Sequence, residues 1–349
     1  MAVTLADVAA RAGVSTATVS RVLNGNYPVA GETRARVERA VRELDYVTHG
    51  PARALAAAAS DLVGVLVNDI ADPYFGLLAG AVQTEIGGVD GGRLAVIGNT
   101  GGEPEQELGY LALLQRERAD AVVLTGGTTE DEQDQTTLTD RLRRLAASGV
   151  RIVLCGRPAL PGLAEAPEVA TVDFAHRSGA RRLTEHLLTL GHRRIGYIAG
   201  PRGRTTTALR LQGHREALEG HPDATGSRVV YGAYDRASGY AGACDLLRRE
   251  PGLTAVVAAN DAAALGACAA LRDEGRRVPE EVSVAGFDDL PFSGDAWPPL
   301  TTVRVPLTDA GAMAGRLALR RAPLEPGAVL VLPTEVVIRS STAPPPVRE

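Results

Sequence analysis

The chain has 349 residues, 45% hydrophobic and 23% charged, with a formal net charge of −5. That length suits two or three domains, and that composition a globular chain rather than a disordered or fibrous one. No apolar run reaches the roughly 20 residues of a membrane span, and the start, MAVTLADVAARAG, lacks the basic-then-apolar order of a secretory leader.

Cys155, Cys244 and Cys268 are odd in number and show no CxxC spacing, which fits reduced thiols in a cytoplasmic protein. The charge is unevenly spread. Residues 1–59 hold seven arginines against five acids, a net of +2, while the remainder carries −7. A basic head on an acidic body points toward a polyanionic partner for the head.

Thr4 and Asp7 are spaced as a capping box, and Leu5, Val8, Ala9 and Ala12 follow at helical spacing until Gly13 ends the run. Ser15 caps a second helix over 16–24 that buries Val19, Val22 and Leu23, and the stretch NGNYP at 24–28 breaks it. A third helix over 32–44 buries Val37, Val41 and Leu44 under an arginine-rich surface. Two short helices around a glycine turn, braced by a third, form a helix-turn-helix. Its second helix would offer Ser15, Thr16, Ala17, Ser20 and Arg21 to a major groove, where hydroxyls, a methyl and a guanidinium read base edges. A plain three-helix domain without a nucleic-acid partner is the alternative on spacing alone.

Residues 49–60, HGPARALAAAAS, carry one large apolar side chain, Leu55, and one charge, Arg53. A segment this short is marginal as an isolated helix. Beyond it, apolar runs at 62–67, 94–97, 121–124 and 152–154 alternate with helical stretches near 75–86, 105–116 and 138–147. A second series has strands at 169–172, 195–199, 229–231, 255–258 and 282–285 and helices near 176–190, 209–218, 238–249 and 262–274. The pattern predicts an α/β fold of two doubly wound parallel-sheet lobes behind the all-α head. Ligands of such sheets bind at the carboxyl ends of the strands.

The polar run 128–137 reads as a solvated loop. His186 and His192 fall on different helix faces and read as helix-end hydrogen-bonding groups rather than metal ligands. Asp288 and Asp289 are adjacent, so their carboxyls point apart. No GxSxG, P-loop or GxGxxG accompanies them, and the expectation is no catalytic group, metal site or cofactor.

Val3-Thr4-Leu5-Ala6-Asp7-Val8-Ala9, Ala12-Gly13-Val14-Ser15 and Thr18-Val19-Ser20-Arg21-Val22-Leu23-Asn24, with Thr33-Arg34 and Tyr46, resemble the head of the LacI/GalR family of bacterial transcriptional repressors. The core is similar to that family's periplasmic-binding-protein-like body at Asp72-Pro73-Tyr74-Phe75, Gly191-His192-Arg193-Arg194-Ile195, Ala259-Asn260-Asp261, Gly286-Phe287-Asp288-Asp289 and Pro298-Pro299-Leu300-Thr301-Thr302-Val303. The resemblance implies DNA contacts at Leu5, Asn24, Thr33 and Tyr46 besides those above. It also makes Ala52, Arg53 and Leu55 a hinge that becomes helical in the minor groove, with Leu55 as a wedge.

It further implies effector contacts at Tyr74, Phe75, Arg210, Tyr234, Asn260 and Asp288. For Asp288 and Asn260 the rival is strand-end or capping structure, for Tyr74 and Phe75 core packing, and Asp289 is assigned to structure. The implied domains are 1–47 for DNA, 48–59 for the hinge and 60–349 for effector binding and dimerisation. The lobes would be about 60–160 with 291–320, and 161–290 with 321–340. The implied protein is a homodimeric, non-enzymatic, nucleoid-associated repressor of a pseudo-palindromic operator, controlled allosterically by a sugar first, or a nucleoside or purine second. A periplasmic-type sugar-binding protein without DNA function and an α/β enzyme acting on sugars are the other classes.

Four features depart from the family pattern. Cys155 stands where relatives carry a ligand-binding acid, Ala30-Gly31 replaces a capping serine, His49 replaces an Asn, and the tail has no leucine heptad for a tetramer.

Overall fold

The computed structural model describes residues 3–24, 28–46, 61–87, 93–219, 221, 224, 228–323 and 325–346, with the side chain of Asn24 left out. The expected hinge, with Ala52, Arg53 and Leu55, lies outside the described residues. The chain divides into a head and a larger body after Asp61.

In the head, α1 (Leu5–Ala12) opens on the expected capping box. The amide of Thr4 donates to Oδ2 of Asp7 at 2.8 Å and the amide of Asp7 to Oγ1 of Thr4 at 3.4 Å. Gly13 closes it at φ 65°, a left-handed turn that a side chain resists. The amide of Thr18 bonds Oγ of Ser15 at 3.2 Å, starting α2 (Thr16–Asn24). α3 (Gly31–Glu43) begins on Ala30 without any side-chain cap. Val8, Val19 and Val37, one from each helix, meet fully buried.

The body begins with β1 (Leu62–Val67), α4 (Pro73–Ile86), β2 (Leu94–Asn99), α5 (Pro104–Arg116), β3 (Ala121–Thr125), α6 (Glu132–Ala147), β4 (Arg151–Cys155) and β5 (Val169–Phe174). It continues with α7 (His176–Thr189), β6 (Ile195–Ala199), α8 (Thr205–Glu219), β7 (Arg228–Tyr231), α9 (Arg236–Arg249), β8 (Ala255–Ala258), α10 (Asp261–Asp273) and β9 (Ser283–Ala285). Last come α11 (Pro291–Asp295), β10 (Thr302–Arg304), α12 (Leu307–Ala318), β11 (Val329–Leu332) and β12 (Glu335–Val337).

The first lobe is a parallel sheet in the order β11-β5-β4-β3-β1-β2, the second a parallel sheet in the order β7-β6-β8-β9. Alternation along each strand supplies a helix layer to both faces. Val63, Val65 and Val67 face the cluster holding Leu78 of α4 and Ala314 of α12, whereas Leu66 joins Leu111 of α5 and Leu142 of α6. In the second lobe Tyr197 packs with Leu183 and Leu211, and Ile198 with Leu246 and Ala267. α9 and α10 approach so closely that a Cβ on Gly239 would lie 2.0 Å from the carbonyl oxygen of Ala263.

Three expectations need correction. β5 was placed in the second series, but it pairs with β4 and β11 in the first sheet, as the loop 156–168 returns the chain along that sheet. The first crossover therefore follows Phe174 rather than residue 160. β10 attaches to the end of β9, α12 packs on α4, and β11 returns to the first sheet, so residues 291–304 sit with the second lobe and 329–332 with the first. The run 128–137 is only partly loop. Asp131 accepts from the amides of Gln133 and Asp134 and starts α6 at Glu132, with acids in its first turn where the helix dipole favours them.

Candidate functional site

On the head, Ser15, Thr16, Ala17 and Arg21 are exposed along α2 and Ser20 is half-buried. The Ser15 hydroxyl also meets Oγ1 of Thr18 at 2.9 Å, so part of its bonding capacity serves the cap. Leu5 and Tyr46, expected at DNA, are half-buried and pack against the head's core. A domain this small needs every large apolar side chain it has. Thr33 is half-buried in the first turn of α3, and the side chain of Asn24 lies outside what the structure describes.

In the body, loops at the carboxyl ends of both sheets face one another, and they touch. The amide of Thr205 donates to the carbonyl of Thr128 at 3.0 Å and that of Glu130 to the carbonyl of Gly203 at 2.7 Å, an antiparallel bridge between lobes. Arg204 adds Nη1 to the carbonyl of Gly102 at 2.8 Å.

Deeper lies a charged cluster. Arg210, 2% exposed in α8, donates Nη2 to Oδ1 of Asp288 at 2.7 Å, Nη1 to the carbonyl of Ala259 at 2.5 Å and Nε to Nδ1 of His176 at 3.3 Å. Its guanidinium also stacks 3.8 Å over the ring of Phe287. Asp288 has φ 111° and Asp289 φ 57°, left-handed values that favour glycine and that an aspartate tolerates better than most side chains. Asp289 accepts from Nε of Arg304 and Nη2 of Arg339, two bonds that fasten this strained corner under Asp288.

Comparison with known proteins settles what kind of molecule this is. A model of bacterial regulatory proteins of the lacI family matches residues 4–49, and a model of a periplasmic binding protein-like domain matches residues 184–342. The transcriptional regulator GalS of Salmonella typhimurium is 38% identical over 321 residues, covering 92% of this chain and 90% of its own. The chain belongs to the LacI family.

This LacI-family protein is a DNA-binding transcriptional regulator. Its structure is similar to a lac repressor dimer bound to operator and an anti-inducer, with TM-score 0.82, 28% identity and coverage of 98% of this chain and 100% of the other. It is also similar to a complex of the regulator CelR with cellobiose, with TM-score 0.67, 35% identity and coverage of 97% and 99%. The match at 4–49 sets aside a sugar-binding protein without DNA function.

Within this LacI-family fold the expected effector residues divide. Tyr74 and Phe75 open α4, are 8% and 9% exposed, and pack edge to face with centroids 5.0 Å apart. Burial drives the Tyr74 hydroxyl well above its ordinary range, and Asp288 pushes the same way, so the first lobe's aromatic shares an environment with the second lobe's acid. Core packing, the rival role for this pair, is what their contacts show. Tyr234 bonds Oγ1 of Thr207 at 2.7 Å and lays its ring over Gly200. Asn260 caps a helix. Its Oδ1 accepts from the amide of Ala263 as the cap of α10, and Nδ2 donates to the carbonyl of Tyr234. These bonds serve capping, the rival that the sequence also offers for Asn260.

Burial pushes Asp288 up to about 8 against the pull of Arg210. Cys155 is fully buried in the core and pushed up to about 12, mainly by burial, so it stands there as a neutral thiol. Three neighbours were not among the expected site residues, although Asp72 belongs to the Asp72-Pro73-Tyr74-Phe75 motif. Asp72 caps α4 and is raised by burial, Asp173 sits at the end of β5 and is raised likewise, and His176 opens α7 beside Arg210. Asp72-Pro73 is a legible cap, while nothing local marks His176. His186 and His192 bond Thr342, Thr254 and Ser283, and among the described residues no cluster of metal-ligand type occurs. No described helix is long and apolar enough to cross a membrane. A separate groove of about 550 Å³ runs along α8 past Arg202, Arg215 and Tyr231, and Arg210 and Asp288 do not line it.

Proposed function

We propose that this regulator represses from a pseudo-palindromic operator as a homodimer and is switched by a sugar or sugar derivative held between the lobes. The buried Arg210–Asp288 pair carries this reading. A fork of donors beside a carboxyl, walled by Tyr74, Phe75 and Tyr234, suits a neutral polyhydroxylated ligand with apolar ring faces. The cellobiose complex of CelR supports a sugar. A nucleoside or purine is the second class, favoured by the same aromatic walls.

Self-association fits β2. It is an edge strand whose Leu94, Val96 and Ile97 are exposed at 63%, 40% and 41%, so both its faces are apolar and open, with Ile70 and Leu77 also exposed. Such edges are normally covered. Ligand bridging the lobes would compete with or reinforce the direct seam at Thr128–Thr205, and the lobe angle would pass to paired heads through Ala52, Arg53 and Leu55. A coupling of about 1–3 kcal/mol is enough for such control. The protein is read as cytoplasmic, nucleoid-associated and non-catalytic, with no cofactor.

A thermal-shift panel of monosaccharides, disaccharides and nucleosides on the full chain, followed by operator gel shifts with each binder, tests it. A sugar that raises the melting temperature and changes operator affinity is the expected result. A binder that leaves operator affinity unchanged removes the switch, and a response to nucleosides alone reassigns the ligand.

A further inference from the structure

His176 is the first residue of α7, two positions beyond β5, where the chain passes from the first sheet toward the second. Its imidazole is 2% exposed, edge-on to Phe174 at 5.7 Å and tilted against Phe287 at 6.0 Å. Nε of Arg210 stands 3.3 Å from Nδ1.

A guanidinium can only donate, so Nδ1 must be an acceptor, and the single proton of the neutral ring then sits on Nε2. The geometry thus fixes the tautomer. Among the described residues, Nε2 of His176 is the buried side-chain nitrogen or oxygen that has no hydrogen-bond partner. Buried donors in native proteins are almost always satisfied, so an orphan of this kind calls for an acceptor. The same guanidinium that holds Nδ1 also holds Asp288, which places the orphan donor one side chain from the proposed effector contacts.

We propose that Nε2–H of His176 donates to an oxygen of the effector and selects for ligands that present a hydroxyl, ring or carbonyl oxygen at the crossover end of the cleft. The inference rests on the sugar reading above and goes beyond it by assigning a donor no motif marks. Phe174 and Phe287 flank the ring and keep it from turning toward solvent, so a ligand lacking that oxygen leaves the donor unsatisfied.

Two substitutions separate the two nitrogens. Asn in a histidine's place keeps a group near Nδ1 and loses Nε2, and Gln does the reverse. Isothermal titration of wild type, His176→Asn and His176→Gln with cellobiose, D-galactose and D-ribose reads the difference, with thermal melts checking that each variant folds. For the sugar that binds wild type, His176→Gln should bind within about threefold and His176→Asn about tenfold more weakly, the loss of one ligand hydrogen bond. The opposite order would mean that His176 only props Arg210 and overturns the proposal, as would equal affinity in all three proteins. In wild type the ¹⁵N resonance of Nε2 should move on sugar addition, and a resonance that stays put at saturation also overturns it. If none of the three binds wild type, the titrations use the sugar that the thermal-shift panel identifies, and a panel without any sugar binder fails the sugar reading itself.

Discussion

Nη2 of Arg210 lies 2.7 Å from Oδ1 of Asp288, and the two side chains are only 3% and 5% exposed. Removing one member of such a pair leaves an uncompensated buried group and costs about 3–5 kcal/mol. Arg210→Ala should therefore lower the urea midpoint of the body sharply. Asp288→Asn, which keeps an acceptor of the same shape, should cost less. Both should abolish the sugar response in the operator gel shift. An unchanged midpoint in Arg210→Ala would show that the pair contributes nothing to the fold.

Protonation gives a second test. Asp261, fully buried, accepts from the amide of Leu290 and the hydroxyls of Ser293 and Thr302, yet burial still raises it to about 6, and Asp288 reaches about 8. For an acid whose folded pKa is raised, the contribution is complete below the unfolded value near 3.8 and is lost as pH rises through the folded value. His214, lowered to about 3 by burial, works in the opposite direction, since its contribution is complete above 6.5 and fades as the medium acidifies. The wild-type profile mixes these signs, so the variants carry the test. Urea midpoints from pH 4.5 to 8.5 should flatten between 4.5 and 6 in Asp261→Asn and across the whole span from 4.5 to 8 in Asp288→Asn. Each change is at most ~1.4 kcal/mol per pH unit. Parallel profiles in variant and wild type would contradict the raised values.

What the residues announced and what they hid differ by range. Thr4 with Asp7, Gly13 and the valine runs 62–67 and 121–124 speak through neighbours a few positions away, and the helices and strands followed. Sheet membership does not work that way. Nothing in Val169–Phe174 says that it will lie between β4 and β11, because that choice is made by pairing with a strand some 160 residues later. The site hid behind the same ambiguity. Asn260 has the chemistry of a ligand contact and of a helix cap, and its cap appears only once Ala263 is placed beside it. Leu5 and Tyr46 belong to a DNA-reading motif and still spend much of their surface on the head's own core. His176 carried no local signal at all, since its meaning comes from Arg210, 34 residues on.

The seam between lobes predicts a mechanical variant. A Cβ on Gly127 would fall 2.2 Å from Oγ1 and 3.2 Å from Cβ of Thr206, and 3.1 Å from Oγ1 of Thr205. Gly127→Ala should therefore push the Thr128–Thr205 bridge apart and hold the lobes open, increasing the radius of gyration in small-angle scattering and weakening sugar binding several-fold. Thr206→Ala in the same chain removes the worst clash and should restore most of the affinity. A single variant with wild-type scattering and affinity would show that the seam accommodates the methyl group without moving.

The head yields the last prediction, through Arg21. It is exposed on α2, one turn from Ala17 and close along the helix to Ser15 and Thr16, the face a helix-turn-helix turns to the major groove. A guanidinium there has two possible partners, and they leave different traces. Gripping a guanine edge is worth ~1–3 kcal/mol of discrimination at one base pair. Gripping a phosphate weakens binding evenly across sequences and contributes about one unit to the salt slope. Arg21→Ala should cost at least about tenfold in operator affinity at a fixed salt concentration. Gel shifts on operators altered one base pair at a time, repeated at two salt concentrations, then tell the two apart. Lost preference at one position with an unchanged slope marks base reading, and a uniform loss with a shallower slope marks the backbone. Wild-type affinity on every operator would remove Arg21 from the DNA face and turn attention to Thr16 and Ala17.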